Sequence, residues 1–71
     1  MRRNVTKINT LKIKALRMEN EFTQDDISKL LGISPNTYHR KETGISEFTL
    51  SEAKKISTLF KKPIEDIFFA S

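Results

Sequence analysis

Apolar residues recur along this chain at intervals of three and four, the spacing of helices with one buried side, and nowhere alternate as in a strand. Glycine, proline and capping residues divide the pattern into five short helices, so the predicted fold class is all-α. The predicted helices run from about Ile8 to Asn20, from the cap Thr23 to Gly32, from the cap Ser34 to about Glu42, from the cap Thr49 to about Lys62, and from Pro63 through Phe68.

Short polar motifs mark the ends of these predicted helices. Thr23 and Thr49 begin helices as N-caps. Three residues further on, Asp26 gives a box-like arrangement with Thr23, and Glu52 completes a full capping box with Thr49. Gly32 ends the second helix, because a positive φ costs glycine little. The helix boundaries are therefore predicted from local chemistry alone.

The segment from Thr23 to Gly44 is the most informative part of the chain, because it predicts two helices joined by a tight turn. The first of the two has a predicted buried stripe formed by Ile27, Leu30 and Leu31. The second begins at the N-cap Ser34 with Pro35 in the first helical position, where no amide donor is needed. A helix-turn-helix of this type presents its second helix to the DNA major groove, so the segment predicts sequence-specific DNA binding.

The third helix carries the side chains that base edges require. Tyr38 is its one obvious inward residue. Asn bonds bidentately to adenine, Arg to guanine, and the Thr methyl touches the thymine methyl. We therefore expect Asn36, Thr37 and Arg40 to read bases first, and then His39, for which phosphate contact or plain exposure comes before base reading. An ordinary solvated face is the alternative.

Charge and composition favour the same class of partner. The net charge of +4 suits a polyanion, although many small domains are as basic. Lysine and arginine cluster in two groups: Arg2, Arg3, Lys7, Lys12, Lys14 and Arg17 near the start, and Lys54, Lys55, Lys61 and Lys62 near the end.

Other function classes find little support. With no cysteine and one histidine, no metal site, disulfide or cofactor is expected. No nucleophile and base pair or phosphate loop stands out, so we expect no enzyme and no small-molecule ligand. No signal peptide or membrane-spanning run is evident, and a cytoplasmic location is the default expectation.

The segment from about Leu11 to Phe68 resembles the helix-turn-helix domain of phage repressor and Cro-type regulators, the XRE family. The matching pieces are Leu16-Arg17, Thr23-Gln24, Ile27, the run Leu30 to Ser34, Tyr38, Glu42-Thr43-Gly44 and the later segment FTLSEAKKISTLFKKPIEDIFF. The resemblance implies a lambda-repressor-like fold of five helices, which we place at residues 9–70. The basic residues before it predict an N-terminal arm at residues 1–8, in which Arg2 and Arg3 contact phosphate or the minor groove, with plain disorder as the alternative. It also implies operator binding, usually as a homodimer.

The resemblance also implies site residues. The position of Gln24 contacts backbone phosphate in the family and braces the recognition helix. Base-reading positions match Pro35, Asn36, Thr37, His39 and Arg40. Phosphate contacts are expected from Gln24, Arg17, Lys41, Thr43 and Ser46.

Two residues depart from the family pattern. Pro35 stands where many relatives have a polar base reader, so base reading is expected to shift to Asn36 and Arg40. Lys41 stands where many relatives have an apolar inward residue. Either its stem covers the core while the ammonium reaches a phosphate, or the helix is rotated slightly.

The apolar C-terminal end predicts a role in assembly. Ile64 and Ile67 are expected to pack in the core, whereas Phe68 and above all Phe69 are candidates for a two-fold interface. A dimer predicts a palindromic operator. Because the chain ends soon after the domain, we expect a Cro-like repressor that occludes a promoter. The alternative is a protein-interaction module, such as the antitoxin of a toxin–antitoxin pair.

Overall fold

A computed structural model describes residues 10–68 of the 71-residue chain. These residues form helices and no strand, which confirms the all-α class. The helices are α1 (Thr10–Glu19), α2 (Gln24–Leu31), α3 (Pro35–Glu42), α4 (Leu50–Phe60) and α5 (Ile64–Phe68). The predicted arm at residues 1–8 and Phe69 lie outside the described residues.

Both predicted capping boxes are present. The Thr23 amide donates to Asp26 Oδ2 at 2.8 Å, and the Asp26 amide donates to Thr23 Oγ1 at 3.0 Å. The Thr49 amide donates to Glu52 Oε1 at 2.9 Å, and the Glu52 amide donates to Thr49 Oγ1 at 3.1 Å. An N-cap of this kind stabilises its helix by about 1 kcal/mol, which matters in helices this short.

The turn between α2 and α3 has the predicted form. Gly32 adopts a φ of 74°, and the amide of Ile33 donates to the Ser28 carbonyl at 3.0 Å. Ser34 then caps α3 by accepting a hydrogen bond from the Thr37 amide at 3.1 Å, with Pro35 in the first turn. The left-handed Gly32 thus ends α2 and allows α3 to start within three residues.

One core formed by side chains from all five helices holds the domain together. Its buried apolar members are Ile13, Leu16, Ile27, Leu31, Tyr38, Ala53, Ile56, Ile67 and Phe68. The predicted stripe of α2 is wrong in one member, because Leu30 is 41% exposed while Ser28 is buried. The Ser28 hydroxyl donates to the Asp25 carbonyl at 2.8 Å, so its burial leaves no unpaired donor. Helix α2 therefore turns its small Ser28 inward and Leu30 towards solvent.

Phe68 belongs to this core, and its expected place in a dimer interface is revised. Its side chain is 2% exposed and its ring packs edge-on against Phe48, with centroids 5.3 Å apart. Phe48 in turn lies 6.0 Å from the ring of Tyr38. Ile67 is also buried, as predicted, and Ile64 is half-buried. Helix α5 packs against α1 and α4, and the ring of Phe48 connects its Phe68 to Tyr38 of α3.

Candidate nucleic-acid interface

The outer side of α3 presents polar side chains to solvent. Pro35, Asn36, His39 and Arg40 are exposed. Asn36, Arg40 and Thr43 lie along one side, because they are separated by four and then three positions. Neither Asn36 nor Arg40 forms a side-chain hydrogen bond or ion pair with another of the described residues. These two side chains are thus available to an external partner.

Thr37 is more constrained than its neighbours. It is half-buried, and its Oγ1 accepts a hydrogen bond from Ser34 Oγ at 2.8 Å. Its amide donates to the same serine oxygen at 3.1 Å. Thr37 is therefore held within the cap of α3 and is a weaker candidate for hydrogen bonds to bases than Asn36.

The inner side of α3 is fixed by a hydrogen-bonded network around Glu42, which is 4% exposed. Its carboxylate accepts from Arg17 Nε at 2.7 Å and Nη2 at 3.2 Å. It also accepts from the Tyr38 hydroxyl at 2.7 Å and from Gln24 Nε2 at 2.9 Å. Donors from α1, α2 and α3 converge on one carboxylate, so the network sets the position of the recognition helix against both neighbours.

The network keeps Glu42 ionised. Burial raises the pKa of Glu42, but hydrogen bonds from Arg17, Gln24 and Tyr38 together outweigh burial and hold that pKa below its usual value. Burial raises the pKa of Tyr38 far above its usual value, so its hydroxyl remains a donor. The bond to Glu42 raises the pKa of Arg17. The carboxylate and guanidinium are thus both charged at neutral pH.

Gln24 links the two helices of the motif. Its side-chain nitrogen, besides donating to Glu42, lies 3.2 Å from Nδ1 of His39. The predicted contact of Gln24 with the third helix is therefore present, while its contact with phosphate stays a prediction. The same contact orients the exposed ring of His39 beside the first turn of α2.

Arg17 was expected to contact a phosphate, but its side chain points into the protein. Its side chain is 11% exposed, and besides the two bonds to Glu42 its Nη1 donates to the Phe22 carbonyl at 2.9 Å. The guanidinium is satisfied inside the protein, because the Glu42 carboxylate and the Phe22 carbonyl accept its hydrogen bonds. We therefore revise its role from phosphate contact to a link between α1 and α3.

Lys41 also has an internal partner. Its Nζ lies 2.5 Å from Glu52 Oε1, and both side chains are 11% exposed. The same oxygen accepts the amide of Thr49, so one carboxylate caps α4 and pairs with α3. Burial raises the pKa of Glu52, but the hydrogen bonds from Lys41 and Thr49 lower it by more. The pKa of Glu52 is therefore below its usual value. The aliphatic stem of Lys41 is buried, as the first of the two alternatives predicted. Its ammonium group, however, pairs with the Glu52 carboxylate and does not reach outward to a phosphate.

The segment after α3 turns away sharply. The Thr43 hydroxyl donates to the His39 carbonyl at 2.9 Å, and Gly44 follows with a φ of 89°. The amide of Ser46 donates to the Arg40 carbonyl at 3.1 Å. Thr43 is exposed and Ser46 half-buried beside the outer side of α3. The Thr43 hydroxyl and the Ser46 backbone thus lie at the end of α3, next to Arg40.

Residues 10–68 include no group of three or more His, Asp or Glu side chains placed to hold a metal ion. No helix in this range is long and apolar enough to cross a membrane.

Comparison with known proteins agrees with this geometry. A family model described as helix-turn-helix matches residues 13–67. An HTH-type transcriptional regulator of Methanocaldococcus jannaschii, itself uncharacterised, is 40% identical over 57 residues, which cover 80% of this chain and 86% of that protein. The matched range includes the turn at Gly32 and the network around Glu42. The chain therefore belongs to the helix-turn-helix family of phage repressor and Cro-type (XRE) regulators and is a DNA-binding transcriptional regulator.

Proposed function

We propose that this protein is a Cro-like repressor that binds a palindromic operator as a homodimer and blocks a promoter by occupying it. The observation that carries the proposal is the contrast between the two sides of α3. Its inner side is locked by the Glu42 network, while Asn36 and Arg40 remain exposed and unpaired among the described residues. A rigid helix with free bidentate side chains is suited to reading base edges.

Base reading is assigned first to Asn36 and Arg40. Asn36 lies in the first turn of α3, which reaches deepest into the major groove in this motif. Pro35 and the methyl group of Thr37 contribute apolar contact, while the Thr37 hydroxyl oxygen accepts a hydrogen bond from Ser34. His39 lies beside Gln24 and contacts phosphate more readily than a base.

Phosphate contacts are assigned to both ends of the motif. Gln24 opens α2, where the backbone amides of Gln24 and Asp25 have no partner within the helix and can donate to a phosphate, whereas the Asp26 amide already donates to Thr23. Thr43 and Ser46 follow the other end of α3. Contacts on both sides of α3 hold it in register on the duplex without carrying sequence information themselves.

The homodimer rests on the symmetry of operators read by this motif. Two copies of α3 spaced about 34 Å apart meet successive major grooves on one face of the duplex. Phe68 is buried and does not supply the contact. Phe69, which lies outside the described residues, stays a candidate for it.

Selection of bound duplexes from a random pool tests the proposal. We expect an enriched palindrome whose half-sites lie about 10 base pairs apart from centre to centre. Footprinting on the selected sequence should then protect one face of the duplex. A pool that shows no enrichment over random DNA would contradict operator binding and favour the alternative of a protein-interaction module. Enrichment of a single, asymmetric half-site would contradict the dimer alone.

A further inference from the structure

An apolar groove lies between α2 and α4, on a part of the protein that the DNA-binding proposal does not use. It is an open groove of about 390 Å³ lined by Leu30, Lys54, Lys55, Thr58 and Leu59, and we call it the α2–α4 groove. Its lining is almost entirely apolar in spite of the two lysines, because their stems line the walls. Leu30, which the sequence pattern predicted to be buried, is 41% exposed here.

The surroundings of the groove are strongly basic. From Ala53 to Lys62 the chain carries four lysines and no acid. Glu52, the acid nearest in sequence, is turned to Lys41. None of the four ammonium groups forms an ion pair with any residue between 10 and 68. Two of the four, Lys54 and Lys55, line the groove itself, whereas Lys61 and Lys62 do not. The groove is thus an apolar slot bordered by two ammonium groups without an ion pair.

The groove is separate from the recognition helix. No residue of α3 lines it, and its walls come from the C-terminal half of α2 and from α4. A molecule in the groove therefore leaves Asn36 and Arg40 uncovered.

Charge and shape together select the occupant. We propose that the α2–α4 groove binds an acidic amphipathic segment of another protein. Its apolar side chains enter between Leu30 and Leu59, and its carboxylates approach Lys54 and Lys55. Both halves of the surface are then matched, since an apolar stripe beside carboxylates complements an apolar slot beside ammonium groups.

Other occupants match only half of the surface. A phosphate backbone satisfies the lysines but offers nothing apolar to Leu30 and Leu59. A second copy related by a two-fold axis places the same lysines opposite each other, which is repulsive. A small ligand favours an enclosed site that buries most of its surface, whereas this groove is open.

Titration of the ¹⁵N-labelled protein with a synthetic helical peptide tests the proposal. The probe carries leucines along one face and glutamates on the other. One control peptide has lysines in place of the glutamates, and another has the same composition scrambled so that the leucines share no face. We expect the acidic amphipathic peptide alone to shift the amide signals of Leu30, Thr58 and Leu59.

Charge-reversal variants separate the groove from general electrostatic attraction. The double variant Lys54→Glu/Lys55→Glu should weaken peptide binding about tenfold or more, since two favourable charge pairs become repulsive. Lys14→Glu/Lys62→Glu changes the net charge equally outside the groove and should have a much smaller effect. Leu30→Gln tests the apolar wall independently and should also weaken binding. The dispersion of each free variant's spectrum verifies its fold.

Three results would overturn the proposal. The scrambled peptide could bind as tightly as the amphipathic one, or the control double variant could weaken binding as much as the groove variant. Random duplex DNA could produce the same shifts at Leu30 and Leu59, which would make the surface a nucleic-acid contact instead.

Discussion

The guanidinium of Arg40 is free of internal partners, unlike that of Arg17, the other arginine among residues 10–68. Arg17 is held by Glu42 and the Phe22 carbonyl, whereas Arg40 is exposed and has no ion pair among the described residues. An arginine in this state keeps all its donors for a guanine edge. Two arginines of one small domain thus have opposite roles because one lies beside a buried carboxylate.

Arg40→Ala should therefore lower specific affinity by about 1–3 kcal/mol and relax one base position. Mobility-shift titrations on the selected operator and on random duplex DNA measure the change. Lys55→Ala, which removes an exposed cation outside α3, is the matched control and should leave the ratio of the two affinities unchanged. An equal loss on both duplexes for Arg40→Ala would assign this residue to phosphate.

Glu42 makes stability depend on acidic pH. Its pKa in the folded protein is below its usual value, because the bonds from Arg17, Gln24 and Tyr38 outweigh the effect of burial. The unfolded chain therefore binds the proton more tightly. The stabilisation from this group is complete above the unfolded pKa of about 4.3 and is lost as the pH falls through the folded value.

Urea unfolding of wild type and Glu42→Gln between neutral and acidic pH tests this dependence. Glu42→Gln should lower the free energy of unfolding by about 3 kcal/mol near pH 7, since the Arg17 guanidinium is left without its counter-charge. Its unfolding free energy should then fall less steeply than that of wild type below about pH 4.5. Parallel pH profiles would show that other carboxylates cause the acid sensitivity.

At the scale of the helices, the sequence predicts starts and ends better than orientations. The caps at Thr23, Ser34 and Thr49 were predictable because each bond joins residues three apart. The rotation of α2, which buries Ser28 and exposes Leu30, was not predictable, because both residues suit the spacing of a buried stripe. Packing between helices decides such cases, and a single sequence does not encode it locally.

The candidate site divides in the same way. Exposure of Asn36 and Arg40 follows from the inward position of Tyr38 on the same helix. The partners of Arg17 and Lys41 are 25 and 11 residues away and depend on tertiary contact. The sequence did predict that the carboxylate of Glu52 caps α4, but it did not indicate that the same carboxylate also accepts a hydrogen bond from Lys41.

The ion pair Lys41–Glu52 connects α3 to α4. Removing only one of its two charges should destabilise the protein. Lys41→Met leaves a buried carboxylate without its cation and should cost about 3 kcal/mol. Lys41→Met/Glu52→Gln should recover most of this loss, because the charge is gone and glutamine at this position still accepts the Thr49 amide.

A double-mutant cycle by urea unfolding, completed with Glu52→Gln, measures the coupling. We expect the two losses to be strongly non-additive, since the residues share one hydrogen-bonded unit. Additive losses would show that the pair does not act as a unit and that each side chain contributes through separate contacts.

At the scale of the whole molecule, the charged groups fall into two classes, those in buried ion pairs and those that are exposed. Buried pairs at Arg17–Glu42 and Lys41–Glu52 fix α3 from α1 and α4. Unpaired polar groups lie on the outer side of α3, and unpaired lysines border the α2–α4 groove. Helix α3 is thereby held in place without the side chains of Asn36 and Arg40 being used for that purpose. Such a scaffold presents α3 of each chain in a fixed orientation.

A fixed orientation of α3 would make the proposed dimer sensitive to operator spacing. If two copies bind as a unit, inserting half a helical turn between the half-sites should abolish the second copy's contribution, because the half-sites then lie on opposite faces of the duplex. Base changes in the spacer at constant length are the control and should have little effect. Sedimentation velocity with a fluorescent operator measures the number of chains bound and the affinity. Two chains on the selected operator and a single weakly bound chain on the lengthened one are expected. Equal stoichiometry and affinity on both would mean that each chain binds independently, and the palindrome would then reflect two separate sites rather than a dimer.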